Sequence, residues 1–212
     1  MKQLTLFTVL TLLTGFIFAQ QTISFSDYVD EKKEFKKNDQ EVQTIMNSFE
    51  IKRISGFGGP TMSFTTINND FAIVMGGGGG VLVNNFFIGG YGEGLSNTLN
   101  TGAENQLRNI EFDHGGFWLG YEIAPQKLIH PVISSRIGWG KIQGVNTKNA
   151  LIIDNVFVVV PSISAEINFT RFAKVNVGVE YRQTLNVNAI EGMSNQNFSN
   201  VGAYVNFLFG WF

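Results

Sequence analysis

Six charged residues punctuate otherwise apolar stretches of the chain: Glu93, Glu122, Arg136, Glu166, Glu180 and Arg182. Charges withdrawn from water need partners. Two chemistries would use such a set. One is a path or gate for small ions. The other, and the simpler, is a group of ion pairs that fills a narrow interior. Four glutamates against two arginines leave negative charge for water or protonation to resolve.

The two histidines are His114 and His130. The stretch "EFDHGGF" sets Glu111 and Asp113 beside His114. A lipid-modifying hydrolase or acyltransferase needs an imidazole, a carboxylate and a hydroxyl in reach of one another. No serine adjoins this stretch, although a neighbouring strand could supply one. His130 falls in a short turn before Pro131. Two histidines far apart and no cysteine give no metal-ligand spacing. The chain therefore reads as non-enzymatic, with no catalytic residue, metal or cofactor.

The glycine run in "VMGGGGGVLV" invites another reading, a phosphate loop. Such a loop needs Lys and Ser or Thr after its last glycine, then a helix. Here Val81, Leu82 and Val83 follow Gly80 and continue a strand pattern. Phe71, Ile73 and Met75 share parity with Val81 and Val83, so the alternation enters and leaves the run in phase. That excludes a flexible linker as well.

Composition narrows the class. A net charge of −2 gives no reason to expect nucleic acid, and the absence of cysteine removes any disulfide framework. Residues 1–19 read as a signal peptide, with Lys2 ahead of an apolar stretch from Leu4 to Phe18 and a cleavage site after Ala19. Residues 20–50 read as a charged periplasmic lead-in, helical or disordered. Past residue 19, no 18 consecutive residues are apolar, so no membrane-spanning helix is expected.

From Ile51 to Phe212 the pattern has a period of two, the mark of strands with unlike faces. In "PVISSRIGWGKI", Ile133, Ile137 and Trp139 oppose Ser134, Arg136 and Gly138. In "NVFVVVPSISAEINF", Phe157, Val159, Ile163, Ala165 and Ile167 oppose Ser162, Ser164, Glu166 and Asn168. In "AKVNVGVEYRQTL", Val175, Val177, Val179 and Tyr181 oppose Asn176, Glu180 and Arg182. Eight such strands can be drawn, with Ile51–Thr66 first and "NVGAYVNFLFGWF" last. Asn84-Asn85, "APQKLIHP" and "TRFAK" are short connections. Ser96–Asn109, Gln143–Asp154 and Val187–Ser199 are long and polar, while the first hairpin, "TINND", is short. Short turns at one end and long loops at the other suit a membrane barrel.

A soluble barrel is apolar inside, and a transmembrane barrel inverts this. The polar face here carries Ser, Asn, Thr and Gly with a few opposed charges. It lacks the dense lysines and glutamates of a solvated exterior. Small polar residues and ion pairs suit the filled interior of an eight-stranded barrel. Outward Tyr121, Trp139, Phe172 and Trp211 suit interfacial aromatic girdles, whereas Trp118 has inward parity.

The terminal "NFLFGWF", ending on Phe212, resembles the C-terminal assembly signal of bacterial outer-membrane barrels. Residues 51–212 resemble the small eight-stranded family typified by OmpA and OmpX. In texture they are closer to the Bacteroidota-type outer membrane β-barrel proteins. The resemblance implies an all-β, antiparallel, up-and-down transmembrane barrel in the outer membrane. It implies lipid and lipopolysaccharide around the wall, the barrel-assembly machinery as a transient partner, and loops that could meet an extracellular partner. It brings no catalytic residues. Phe212 shares parity with Tyr204, Asn206, Leu208 and Gly210, while Trp211 ends the apolar face. The alternatives to a structural or surface-interaction role are a lipid A deacylase or acyltransferase, a small-solute channel, and a soluble lipocalin-like carrier.

Twelve of the 24 glycines lie between Gly56 and Gly94. With turns at Asn68-Asn69 and Asn84-Asn85, Gly58 and Gly59 face Gly79 and Gly78, Gly79 faces Gly90, and Gly77 faces Gly92. Glycine in strands marks bends or close approach. A thin, curved wall is predicted. It would leave room inside for Tyr91, Glu93 and Trp118. Outside it would form a shallow groove floored by Gly56, Gly58, Gly77, Gly79, Gly90 and Gly92.

Overall fold

A computed structural model describes residues 50–99, 107–146, 150–190 and 192–212. The expected signal peptide (1–19) and the lead-in (20–50), apart from Glu50, lie outside the described residues. Eight strands follow: β1 (Ile54–Ile67), β2 (Asp70–Val83), β3 (Phe86–Leu95), β4 (Leu107–Glu122), β5 (Ile129–Asn146), β6 (Leu151–Asn168), β7 (Ala173–Leu185) and β8 (Asn200–Gly210). Each pairs antiparallel with its neighbours in sequence, and β8 returns to β1 to close an up-and-down barrel. Closure satisfies the backbone groups that an open edge would leave bare in lipid.

The two Asn-Asn turns form where predicted. Asn68 and Asn69 have φ of 51° and 68°, and Asn84 has φ of 55°. Asparagine tolerates this left-handed region, which two-residue hairpins require. The Asn84 side chain also accepts hydrogen bonds from the backbone N–H groups of Lys52 and Arg53, at 2.8 and 3.2 Å. The chain entering β1 is thus tied to the β2–β3 turn.

Side-chain parity sets the inside and the outside. Phe71, Ile88, Phe117, Ile133, Ile163, Val177, Phe207 and Phe209 are exposed on the outer face. Glu93, Glu122, Arg136, Glu166, Glu180 and Arg182 are buried within. This is the inversion expected of a barrel that lipid surrounds. Tyr121, Trp139, Phe172 and Trp211 are all exposed, and Trp118 is buried.

Three connections differ from the sequence reading. The polar stretch Gln143–Asp154 is mostly strand: β5 runs to Asn146 and β6 starts at Leu151. Its alternation persists, with Gly144 and Asp154 buried inward and Ile153 exposed. The turn "APQKLIHP" is shorter than it looks, since β5 begins at Ile129. His130 therefore belongs to a strand and points inward. The connection Val187–Ser199 does not project outward. It carries a short helix, α1 (Asn195–Phe198), and buries Val187, Ile190, Met193 and Phe198 against Phe112, Ile142, Val156 and Val158.

Candidate functional site

The inward residues of β4 order the lumen. From the short-turn end they are Glu122, Gly120, Trp118, Gly116, His114, Phe112 and Ile110. Glu122, Trp118 and His114 mark three successive layers, and Phe112 and Ile110 share the fourth.

Glu122 lies in the first layer. Lys174 Nζ donates to Glu122 Oε1 at 2.7 Å and to Glu166 Oε1 at 2.6 Å. His130 Nε2 lies 3.1 Å from Glu166 Oε1, and Asn176 Nδ2 donates to Glu166 Oε2 at 3.4 Å. The ring of Phe212 stands 4.3 Å from Lys174 Nζ. Phe212 thus turns inward, as its parity dictates, while Trp211 is 85% exposed. Outside this layer, a cavity of about 450 Å³ is lined by Arg53, Arg171, Lys174, Asn168 and Phe212, among others.

The second layer is aromatic. Phe57, Phe87 and Trp118 meet edge to face, with centroids 5.3 to 5.6 Å apart. The glycine wall makes this room. A Cβ on Gly78 would lie 3.0 Å from Trp118 Cε3, and one on Gly120 would overlap the Phe87 ring. The register puts Gly58 opposite Gly79 and Gly59 opposite Gly78. It also puts Gly79 opposite Gly90 and Gly77 opposite Gly92. Gly92 in turn faces Gly115, so the bare band reaches β4.

The third layer centres on Arg136. Its guanidinium bonds Glu93 through Nη1 and Glu180 through Nη2, and Ser63 donates to Glu180. Tyr91 and Tyr204 lie under the guanidinium, with ring centroids 5.8 and 5.7 Å from Cζ. A Cβ on Gly76 would collide with Glu93 Cγ at 2.8 Å, and one on Gly138 with the Tyr91 hydroxyl at 2.9 Å. His114 Nδ1 lies 3.2 Å from that hydroxyl.

The last layer is the apolar plug formed by the β7–β8 connection. The Asp154 carboxylate accepts from the backbone N–H groups of Asn188 and Ala189 at 2.6 and 2.7 Å. Asn197 Nδ2 donates to Asn68 Oδ1 at 2.8 Å, which ties the plug to the first hairpin.

All six charged residues picked from the sequence are therefore inside, but they do not form one network. Glu93, Arg136 and Glu180 form one group, and Glu122 and Glu166 another. Arg182 forms no ion pair among the described residues. Its Nη1 has no hydrogen-bond partner, and Cζ stands 5.4 Å from the centre of the Phe112 ring. Sequence reasoning missed Lys174 and His130. Both have inward parity, yet both fall in stretches, "TRFAK" and "APQKLIHP", that read as connections. The "EFDH" stretch does not assemble a site: His114 points inward, while Glu111 and Asp113 point outward and are exposed. Glu122, His130 and Glu166 do come together, with ligand atoms within 4.8 Å of one another.

No protein-family model and no curated protein matches the sequence. Similarity appears among solved structures. The chain is similar to Neisserial surface protein A, with a TM-score of 0.52 and 9% identity over 74% of this chain and 96% of that one. It is also similar to the N-terminal β-barrel domain of Pseudomonas aeruginosa OprF, with a TM-score of 0.51 and 10% identity over 74% of this chain and 97% of that one. At such identity the likeness is one of fold. The likeness to Bacteroidota-type proteins rests on sequence texture alone. Residues 51–212 have the eight-stranded, up-and-down barrel fold of the small OmpA/OmpX-like outer-membrane proteins.

Proposed function

We propose that the protein is a non-enzymatic, non-conducting barrel of the outer membrane that acts as a structural and surface-interaction element. The observation that carries this reading is the filled lumen. Four successive layers cross it: the Lys174 group, the Trp118 aromatics, the Arg136 group and the β7–β8 plug. An eight-stranded barrel whose interior holds side chains offers no aqueous path.

The long-loop end is the extracellular one in this reading. There Asn68, Asn69, Ser194, Gln196, Asn197 and Asn200 line a hollow of about 230 Å³. Amides and hydroxyls offer donors and acceptors without charge, which suits a neutral, hydroxyl-rich partner. Lipid and lipopolysaccharide surround the wall, and the assembly machinery handles the C-terminal strand with its Phe212.

Planar-bilayer recording of the refolded full chain tests the reading. No conductance above the bare membrane is expected, and stable unitary currents would overturn it in favour of a channel. The enzyme alternative predicts an altered lipid A mass on overexpression. His114 lies beside the Tyr91 hydroxyl and 3.8 Å from Glu93, but all three are buried inside the barrel, away from the lipid-facing wall, which speaks for unchanged lipid A.

A further inference from the structure

We propose that Glu122, His130 and Glu166 form a site for a divalent transition-metal ion of the zinc type, in which Lys174 is the exchangeable cation. The three residues come from the end of β4, the start of β5 and the end of β6. All three are buried, and their ligand atoms lie within 4.8 Å of one another. Ligands of a tetrahedral zinc ion stand roughly 3.4 Å apart, so small side-chain movements close the set.

The orientation of the His130 ring suits a metal ligand. His130 Nδ1 lies 3.2 Å from the Lys127 carbonyl oxygen. A carbonyl can only accept, so Nδ1 carries the hydrogen. In the neutral ring, Nε2 then presents a lone pair to Glu166 Oε1 at 3.1 Å. That meeting needs a positive centre, and Lys174 Nζ, 2.6 Å from the same Glu166 oxygen, supplies it here; a bound metal ion would supply it in place of Lys174. A ring nitrogen that donates to a backbone carbonyl, and so leaves the other nitrogen to act as ligand, is the usual outer arrangement of a metal-bound histidine.

Two unused acceptors lie in the same group. Glu122 Oε2 and Asn176 Oδ1 are buried without a hydrogen-bond partner. Lys174 Nζ satisfies only one oxygen of each glutamate. Lys174 also lines the cavity of about 450 Å³ at the short-turn end, beside Phe212. The ammonium can therefore swing toward water as an ion enters, with no strand displaced. One imidazole with carboxylates favours zinc-like ions. Calcium needs six to eight oxygens, more than this group supplies.

The full chain, refolded in detergent, is titrated with zinc chloride against a chromogenic chelator, and with cobalt chloride followed by visible absorption. Heat-modifiable migration on a gel verifies folding of each variant. The wild type is expected to bind one zinc saturably. Lys174→Met, which removes the competing charge, should bind about tenfold more tightly or better. His130→Gln should lose binding and the cobalt bands. Absence of saturable zinc in both the wild type and Lys174→Met overturns the proposal, as does a His130→Gln variant that binds like the wild type. Should Lys174→Met fail to fold, the cobalt spectra of the wild type and His130→Gln decide. Visible bands lost in the variant uphold the site, and a wild type without them refutes it.

Discussion

The indole of Trp118 rests on the bare backbone of Gly78, where a Cβ would stand 3.0 Å from Cε3 and 2.8 Å from the Gly90 carbonyl oxygen. Neither neighbour can give freely. The carbonyl belongs to a ladder, and the indole is held by Phe57 and Phe87. Gly78→Ala should therefore cost about 1–3 kcal/mol, the usual penalty of overpacking. Gly92 is the control, because a Cβ there meets nothing within 4 Å. Gly92→Ala should stay within about 0.5 kcal/mol or stabilise slightly, by restricting the unfolded chain. Urea titration of refolded barrels, read by gel migration, separates the two.

Arg136 answers two buried carboxylates at once. Arg136→Ala leaves Glu93 and Glu180 facing each other without a cation. A loss of about 3–5 kcal/mol is expected. Combining Arg136→Met with Glu93→Gln and Glu180→Gln should restore much of it, because no charge is then stranded. Arg182→Ala should cost less, since no carboxylate depends on it for an ion pair. Equal losses for Arg136→Ala and Arg182→Ala in urea unfolding would contradict this division.

Asp154 anchors the plug through two backbone N–H groups. Hydrogen bonds to a charged acceptor are worth about 1.5–3 kcal/mol each, and Asp154→Ala removes both. The β7–β8 connection should become cleavable by protease in the folded barrel, while the wild type resists. Conductance should remain absent, because the Arg136 layer below the plug is untouched. Limited proteolysis and planar-bilayer recording on one preparation check both halves.

Phe212 and Trp211 should part company on substitution. Phe212→Ala uncovers Lys174 and removes a cation–π contact worth about 0.5–2 kcal/mol. It should lower stability in detergent. Trp211→Ala removes an outward residue with little packing, so detergent stability should hardly change. Comparing the yield of folded barrel in cells with the unfolding midpoint of each variant shows which aromatic serves assembly.

The barrel was legible because parity survives lipid. Val175, Val177 and Val179 against Asn176 and Glu180 announce two faces whatever surrounds them. The hairpin turns were legible from Asn68-Asn69 and Asn84-Asn85. Pairings across the lumen were not. Arg136 of β5 meets Glu93 of β3 and Glu180 of β7, and no sequence spacing encodes a contact across a closed ring. Lys174 and His130 escaped because a strand's first residues look like the turn before them. The plug escaped for another reason. Val187, Ile190, Met193 and Phe198 are scattered among Asn and Ser without a period, and only the mouth they fill gives them a common direction.

The five-glycine run has one more consequence, for alignment during folding. Sliding β2 by two residues one way against β1 would set Gly76, Gly77 and Gly79 opposite Gly59, Gly58 and Gly56, and either slide against β3 would still leave Gly77 opposite a glycine. Gly-rich strands specify register weakly. Beside the few side chains that face the run, such as Phe57, Tyr91 and Glu93, much of the information that aligns three strands therefore comes from its ends. It comes from the left-handed asparagines at 68, 69 and 84, and from the Asn84 side chain that grips Lys52 and Arg53. The smoothest part of the wall is blind to its own position, and a few asparagines keep its place.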